Sequence, residues 1–294
     1  MQRRDSLKQA LVGAGLLSLT NGISLMAANT ENKTTSNNHT PAGKVNHSVC
    51  RWCYQNIELE AFCEGAKEIG IKSIELTSPA EWPILQKYGL TCAVGTGQVA
   101  NIGDGFNDTG FHEKMYQPYI ELIDQAAENG VPNVIVFSGN RRGKSDELGW
   151  ENCAKGLDKL VKHAEKKKIT LIMELLNSKV NHKDYHCDRT EWGVKLVDKI
   201  GSPNFKLLYD IYHMQIMEGD IITTIQKYKD YIAHYHTGGV PGRNEINQSQ
   251  ELNYPAIVQA ILKTGFKGYV AQEFIPTYAD KLAALKEGVQ ICDI

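Results

Sequence analysis

The stretch Phe205-Lys-Leu-Leu-Tyr-Asp210 is a short apolar run that ends in a carboxylate. Three other stretches are likewise short apolar runs that end in a carboxylate or an imidazole, namely Thr170-Leu-Ile-Met-Glu174, Ile232-Ala-His-Tyr-His236 and Gly268-Tyr-Val-Ala-Gln-Glu273. Each pattern is typical of a buried strand with a polar, metal-competent group at its C-terminal end. Because the C-terminal ends of parallel strands meet at one face of a barrel, the four endings predict one shared site.

Strand signals alternate with helical patterns from Val45 onward. The predicted strands are Val45–Tyr54, Lys72–Thr77, Thr91–Thr96, Asn133–Ser138, Thr170–Leu176, Phe205–Tyr212, Ile232–Thr237 and Gly268–Phe274. The predicted helices are Leu59–Ile69, Tyr116–Asn129, Glu151–Lys168, Glu191–Ile200, Ile221–Lys229 and Ala256–Thr264. Strand–helix units over roughly 250 residues match an α/β fold of the (β/α)8 TIM-barrel type in number and size. A doubly wound open sheet is the competing fold, but Tyr54-Gln-Asn-Ile follows the first strand where that fold normally has a glycine-rich turn.

The N-terminal segment differs in composition from the rest of the chain. Arg3-Arg4 precedes a weakly apolar run from Gln9 to Ala28, which is similar to a twin-arginine export signal. Residues 29–44 are rich in Thr, Asn and Ser and have the composition of a disordered linker. We therefore predict an export signal (1–28), a linker (29–44) and a TIM-barrel catalytic domain (45–294), in a periplasmic protein. The alternative for the first segment is a helical or mobile extension; its apolar run is too short and mild for stable membrane insertion.

Charge and cysteine content narrow the class of protein. The 294 residues carry 32 Lys and Arg against 34 Asp and Glu, a net charge of −2. A nucleic-acid-binding protein would normally show a basic surplus, so a nucleic-acid partner is not expected. The seven cysteines are odd in number and have no repeated spacing, which favours buried free thiols over a disulfide framework. A homo-oligomer is compatible with a barrel of this size, and nothing in the pattern decides it.

The strand endings predict a metal site. Side chains alternate along a strand, so Glu174, Asp210 and Glu273 share otherwise apolar faces, where an unpaired carboxylate is costly. A cation between them removes that cost. His236 lies nearer the barrel mouth than His234 and is predicted to be the fourth ligand. This oxygen-rich set suits Mn²⁺ or Mg²⁺, with Co²⁺ or Zn²⁺ as alternatives.

Four segments carry a resemblance to a known family. They are Asp210-Ile-Tyr-His213-Met-Gln, His236-Thr-Gly-Gly-Val-Pro-Gly-Arg243-Asn-Glu245, Glu251-Leu-Asn-Tyr254 and Gln272-Glu273-Phe. Together they resemble the hydroxypyruvate isomerase family, which belongs to the xylose-isomerase-like TIM barrels and is related to the D-tagatose 3-epimerases. The similarity runs from Val45 to the C-terminus. At the position of His236, hydroxypyruvate isomerases tend to carry Gln, whereas ketose epimerases carry His.

The resemblance implies roles for individual residues. Glu174, Asp210, His236 and Glu273 correspond to the metal ligands, with Glu174 and Glu273 also acting as the catalytic acid/base pair. Further residues are predicted to contact the substrate. The resemblance implies this role for His213 and Arg243, and His213 also lies on the catalytic face. Asn177 and His182 are candidates because they lie on the loop after Glu174, and Trp52 is a candidate for the pocket wall.

The sequence therefore predicts a divalent-metal-dependent isomerase or epimerase, which acts on a small-molecule sugar or hydroxy-keto acid through an enediolate. A metal-dependent lyase or dehydratase acting on a keto-sugar or keto-glycoside is the enzymatic alternative, because it would begin with the same proton abstraction. The non-enzymatic alternative is a periplasmic sugar-binding protein. An endonuclease is disfavoured, because it would need more histidine ligands and a basic DNA-binding face.

Overall fold

The computed structural model describes residues 43–294, which lie in one compact unit. The strands are β1 (Asn46–Cys50), β2 (Ser73–Glu75), β3 (Val94–Gly95), β4 (Asn133–Val136), β5 (Thr170–Glu174), β6 (Phe205–Asp210), β7 (Ile232–Thr237) and β8 (Tyr269–Gln272). The helices are α1 (Leu59–Ile69), α2 (Trp82–Lys87), α3 (His112–Glu128), α4 (Asp146–Lys167), α5 (Thr190–Ile200), α6 (Ile211–Met217), α7 (Ile221–Lys227), α8 (Tyr254–Lys263) and α9 (Lys281–Cys292).

The eight strands form one parallel sheet in the order β2-β1-β8-β7-β6-β5-β4-β3. The two ends of this sheet meet through isolated parallel bridges, Ser73 with Thr91 and Thr77 with Gly95. The sheet is therefore a nearly closed barrel with helices between its strands. The predicted (β/α)8 fold is confirmed.

The helix ends follow the local sequence. The Ser145 side chain accepts a hydrogen bond from the Leu148 amide at the start of α4, which satisfies an amide that has no partner within the helix. Gly70 and Gly201 end α1 and α5 with φ of 96° and 67°, a left-handed conformation that glycine adopts without steric cost. Both glycines lie where the sequence predicts helix ends.

The structure differs from the predicted elements mainly around short segments. The first strand ends at Cys50 rather than Tyr54, because Arg51–Tyr54 turns into a 3-10 helix. Helices α2, α6 and α9 were not predicted. Helix α6 begins directly after β6, where the Asp210 side chain accepts a hydrogen bond from the His213 amide and so acts as the N-cap.

Strand β3 is short, and Gly95 explains part of its geometry. A Cβ placed on Gly95 would lie 2.8 Å from the Trp82 ring, so only glycine allows this close packing of α2 on the barrel. Gly95 therefore serves the packing of α2 against the barrel.

Several predictions concern the ends of the chain and its cysteines. The predicted export signal and all but two residues of the predicted linker lie outside the described residues. All seven cysteines lie within the part that the structure describes, and they are buried and free, as predicted. Among the described helices, none has both the length and the apolar character needed to cross a membrane.

Candidate active site and metal centre

Four side chains meet at the C-terminal end of the barrel. Glu174 and Asp210 are the last residues of β5 and β6, His236 is the penultimate residue of β7, and Glu273 directly follows β8. One ligand atom from each of the four lies within 4.8 Å of those of the others. All four residues are buried. The structure therefore brings together all the residues predicted as metal ligands.

Strand pairing explains this convergence. Asp210 is the direct partner of His236 in the β6–β7 pair. The Glu273 amide donates a hydrogen bond to the Thr237 carbonyl, at 3.0 Å, which holds Glu273 against the end of β7. Because side chains alternate along each strand, a slip of one residue would turn these groups away from the shared site.

Hydrogen bonds and ion pairs connect the four groups. His236 Nδ1 lies 2.7 Å from Glu273 Oε2 and 3.4 Å from Glu174 Oε1. Arg243 Nη2 lies 2.5 Å from Glu273 Oε2 and 3.2 Å from Asp210 Oδ2, so its guanidinium bridges two of the carboxylates. Trp52 donates an indole N–H to Glu273 Oε1 at 2.7 Å. Glu273 is therefore the carboxylate with the most donors around it.

The local environment shifts the pKa values of the three carboxylates in different directions. Burial raises the pKa of Asp210 to about 8, and it also raises the pKa of Glu174. Burial likewise opposes the ionisation of Glu273, but Arg243 and His236 outweigh it, so the pKa of Glu273 lies well below its usual range. Burial thus opposes the ionisation of Asp210 and Glu174 in the metal-free protein, whereas Glu273 is held in its charged form.

The residues fit a hard divalent cation. Three carboxylates and one imidazole converge in a buried space. The Glu174 Oε1 atom makes no hydrogen bond to a described residue and has only the 3.4 Å ion-pair contact with His236 Nδ1. Such a buried acceptor needs a partner, and a cation would supply one. Carboxylate oxygens with one imidazole suit Mn²⁺ or Mg²⁺, and also allow Zn²⁺ or Co²⁺.

A fourth carboxylate, Glu75 at the end of β2, lies behind His236 and was missed by the sequence analysis. Its Oε1 atom lies 2.7 Å from His234 Nε2 and 2.8 Å from His236 Nε2, and its Oε2 accepts a hydrogen bond from Ser48 at 2.5 Å. Burial opposes its ionisation, but His234 and His236 outweigh it and lower the pKa of Glu75 to about 2. The signal was present, since Ser73-Ile-Glu75 is also an apolar strand that ends in a carboxylate.

Glu75 determines which nitrogen of His236 faces the site. A carboxylate at Nε2 favours the proton on that nitrogen. In the metal-free protein, Nδ1 also faces carboxylates, Glu273 at 2.7 Å and Glu174 at 3.4 Å, which favour a second proton there. A bound cation would take the place of that second proton, so Nδ1 is the nitrogen available as a metal ligand. This assignment of the tautomer follows from the hydrogen-bond partners. His234, which the sequence analysis set behind His236, contacts Glu75 rather than the four-residue site.

The residues predicted to contact substrate fall into two groups. Trp52, His182 and Arg243 line a cavity of about 310 Å³ together with Glu174 and Glu273. His213 and Asn177 are fully buried beside the site and are absent from the described lining of the cavity. Their side chains contact each other, with Asn177 Nδ2 2.6 Å from His213 Nδ1. Substrate contact by His213 and Asn177 stays a prediction.

His213 has one ring nitrogen without a partner. Its Nε2 atom lies 3.7 Å from Asp210 Oδ2 and makes no hydrogen bond to any described residue. Burial and the Arg243 charge lower the pKa of His213 well below its usual value, so the ring is neutral at neutral pH. A neutral imidazole fixed by Asn177 can orient Asp210 or a bound hydroxyl group.

Arg243 is held in place from both sides. Its guanidinium carbon lies 5.2 Å from the ring centre of Trp52 and 5.4 Å from that of Tyr212, distances typical of cation–π contacts. Its backbone carbonyl accepts a hydrogen bond from the Ile275 amide, at 2.7 Å. The loop after β7 thus presents Arg243 to the carboxylates as a fixed cation.

A barrel with buried functional side chains at its C-terminal face has the architecture of a TIM-barrel enzyme, because active sites of this fold lie at that face. The sequence profile of the xylose isomerase-like TIM barrel family matches residues 63–292. The chain therefore belongs to this family, as the sequence motifs indicated.

Comparison with individual proteins agrees with that assignment. The chain is 27% identical over 223 residues to a putative hydroxypyruvate isomerase of Homo sapiens, which covers 74% of this chain and 75% of the relative. Among solved structures, an AP endonuclease of family 2 from Brucella melitensis superposes with a TM-score of 0.74 and 21% identity, covering 84% of this chain and 97% of the other. A D-psicose 3-epimerase from Clostridium cellulolyticum H10, solved with D-tagatose, superposes with a TM-score of 0.68 and 17% identity, covering 85% of this chain and 100% of the other. At such identities, the two structural matches establish the fold alone.

Proposed function

We propose that this chain is a divalent-metal-dependent isomerase or epimerase, which moves a proton next to the carbonyl group of a sugar or hydroxy-keto acid. The observation that carries the proposal is the convergence of Glu174, Asp210, His236 and Glu273 at the barrel mouth. The family assignment and the isomerases among its relatives support an enzyme of the isomerase class.

Glu174, Asp210, His236 and Glu273 would hold the metal. When bound, a divalent cation polarises a carbonyl oxygen and makes the neighbouring C–H bond more acidic. The protein's own contribution is to keep the site buried and to orient the ligands, with Glu75 holding the His236 ring and Arg243 bridging Asp210 and Glu273.

Glu273 is the better placed of the two carboxylates to remove the proton. The Trp52 indole and the Arg243 guanidinium both donate to it, which stabilises its ionised form. Removal of the proton leaves an enediolate. Glu174, whose pKa is raised by burial, is the group suited to return a proton. Return to the other face of the same carbon gives an epimer, and return to the neighbouring carbon gives an isomer.

The remaining residues would position the substrate. Arg243 lines the cavity and can donate to a substrate oxygen, and the Trp52 ring forms part of the wall. His182 lies on the loop after β5, where burial and Arg243 lower its pKa and keep the ring neutral. It can therefore donate or accept a hydrogen bond without adding charge.

Proton exchange with solvent tests the proposal. The full chain, loaded with Mg²⁺, is incubated in D₂O with a panel of ketoses, keto-glycosides and hydroxypyruvate, and the C–H signals are followed by NMR. Loss of one α-proton signal, with an isomer or epimer as product, is expected. A product with a new carbon–carbon double bond would identify a lyase instead. Tight binding without exchange on any compound would favour a sugar-binding protein.

We also propose that the protein is exported to the periplasm, because of Arg3-Arg4 and the apolar run that follows. A fusion of residues 1–28 to a reporter that is active only after folded export would test this. Replacement of both arginines by lysine should leave the reporter in the cytoplasm. Equal export of the two fusions would contradict the twin-arginine route.

A further inference from the structure

The cavity at the barrel mouth has a mixed lining. Of its nine described lining residues, four are polar or charged, namely Glu174, His182, Arg243 and Glu273. The other five are aromatic or aliphatic and make up the apolar wall: Trp52, Leu76, Ile102, Phe137 and Leu176. A substrate in this space therefore meets both hydrogen-bonding groups and hydrocarbon. With a volume of about 310 Å³, the cavity is at the small end of the range for small-molecule sites.

The one permanent positive charge in the described cavity lining is already paired with carboxylates. Arg243 is the only permanently charged cation in the described lining, and it bridges Asp210 and Glu273. The other group that could become positive, His182, lies in a buried setting beside Arg243, which disfavours a charge on its ring.

Four basic residues on the neighbouring loops have partners outside the cavity. Lys179 donates to the carbonyl oxygens of Ile216 and Met217, at 3.0 and 2.9 Å. The loop after β4 is similar, because each of its basic side chains is paired with an aspartate: Arg141 with Asp146, Arg142 with Asp104 and Lys144 with Asp108. None of these four cations is among the residues that line the cavity in the described part of the chain.

The charge of Arg243 is already compensated by the two carboxylates that it bridges. A carboxylate of the substrate placed against the apolar wall would therefore meet no free cation among the described lining residues. Burial of an unpaired charge is costly, whereas an uncharged hydroxymethyl group has no such penalty.

We propose, on the basis of the function proposed above, that the substrate is an uncharged carbohydrate with its C–H surface against the apolar wall, rather than a keto acid. The chain therefore differs in substrate class from what the name of its putative hydroxypyruvate isomerase relative suggests. The absence of a free cation on the wall formed by Ile102, Phe137 and Leu176 is what excludes the carboxylate.

Matched pairs of compounds test this inference. D-Fructose and 2-keto-D-gluconate differ only in having a hydroxymethyl group or a carboxylate at C1, and dihydroxyacetone and hydroxypyruvate differ in the same way. The full chain loaded with Mg²⁺ is titrated with each compound by calorimetry, and exchange in D₂O is measured in parallel. We expect the neutral member of each pair to bind at least about tenfold more tightly, as an unpaired buried carboxylate requires. Equal or tighter binding of the carboxylates would overturn the inference.

A charge placed on the apolar wall gives a second test. Ile102 is partly exposed, so Ile102→Lys can bring an ammonium group to the cavity, and Ile102→Gln is a neutral polar control. The lysine variant should shift the binding ratio by about tenfold towards the carboxylate members, and the glutamine variant should not. An equal shift in both folded variants, or no shift with lysine, would refute the charge argument.

The two measurements separate this inference from the proposed function. Preferential binding of the neutral members without any proton exchange would support the substrate class and contradict the isomerase activity. Exchange on hydroxypyruvate at a rate equal to that on dihydroxyacetone would support the isomerase activity and contradict the substrate class.

Discussion

Replacement of Glu75 by glutamine should weaken metal binding while the barrel remains folded. Glu75 Oε1 lies within hydrogen-bond distance of both His234 Nε2 and His236 Nε2, and Oε2 accepts from Ser48. Glutamine has nearly the same shape but no charge, and its amide nitrogen cannot accept a hydrogen bond. In Glu75→Gln, the proton of His236 is no longer held at Nε2, so the ligand nitrogen Nδ1 is less often free and correctly oriented.

The size of the effect follows from comparable partners of metal-binding histidines. Loss of such a partner typically reduces metal affinity by about 10–100-fold, which is about 1.4–2.7 kcal/mol. We expect the upper half of this range, because Glu75 is fully buried and no solvent can replace it.

Glu75 should also contribute to stability. His234 and His236 outweigh burial and lower its pKa from 4.5 to about 2, which corresponds to a contribution of up to about 3 kcal/mol in the metal-free protein. Because the pKa is lowered on folding, this contribution is present above about pH 4.5 and is lost as the pH falls towards 2. At neutral pH, Glu75→Gln should therefore lower Tm by up to about 10 °C.

The assay is calorimetric titration of the chelator-treated full chain with Mn²⁺ at neutral pH, with circular dichroism to verify folding. His234→Gln is the matched control, because it removes the other imidazole on Glu75 but keeps the Glu75–His236 hydrogen bond. We expect this control to bind Mn²⁺ within about threefold of the parent. Glu75→Asp, which keeps the charge on a shorter side chain, should recover part of the lost affinity. A folded Glu75→Gln protein with unchanged affinity would refute the role of Glu75 in orienting His236.

Further predictions address the catalytic groups and the domain boundary. Glu273→Gln should reduce proton exchange by at least about 100-fold with little change in far-UV circular dichroism, and unchanged exchange would remove Glu273 from the acid/base pair. Arg243→Lys should raise KM and slow exchange, because one ammonium group cannot bridge Asp210 and Glu273 as the guanidinium does; wild-type kinetics would contradict that role. Chelation should abolish exchange, and added Mn²⁺ should restore it, whereas full activity after exhaustive chelation would exclude a metal-dependent mechanism. A chain that begins at Gly43 should stay soluble and active, and aggregation would show that earlier residues support the barrel.

Much of the site could be predicted because strand geometry is regular. The alternation of side chains placed Glu174 and Asp210 on inward faces, and the common direction of parallel strands placed their ends together. The same reasoning selected His236 over His234, and the structure indeed has His236 in the cluster with Glu174, Asp210 and Glu273. These inferences needed only local sequence and one topological rule.

Other features depend on contacts between distant segments and could not be predicted. The Arg243 guanidinium reaches the carboxylates because its loop folds back against Trp52 and Tyr212, which are remote in sequence. Helix α6 was missed because Ile211–Met217 continues an apolar strand without a turn residue, and the Asp210 cap becomes visible only in three dimensions. In both cases the sequence lacked a periodic signal strong enough to identify the structure.

Glu75 was missed for a different reason. Its strand-ending pattern is as clear in the sequence as the others, but the sequence analysis did not apply the pattern to this strand. Ser73-Ile-Glu75 ends in a carboxylate as Thr170–Glu174 does. Two strands, β1 and β8, lie between β2 and β7 in the sheet, yet the Glu75 side chain reaches His234 and His236. An open sheet would leave β2 at an edge, far from β7. Only closure brings this carboxylate to the outer nitrogen of a ligand histidine. A predicted barrel therefore implies more than a set of metal ligands at the strand ends. Every inward-facing polar residue on the other strands is then a candidate hydrogen-bond partner of those ligands.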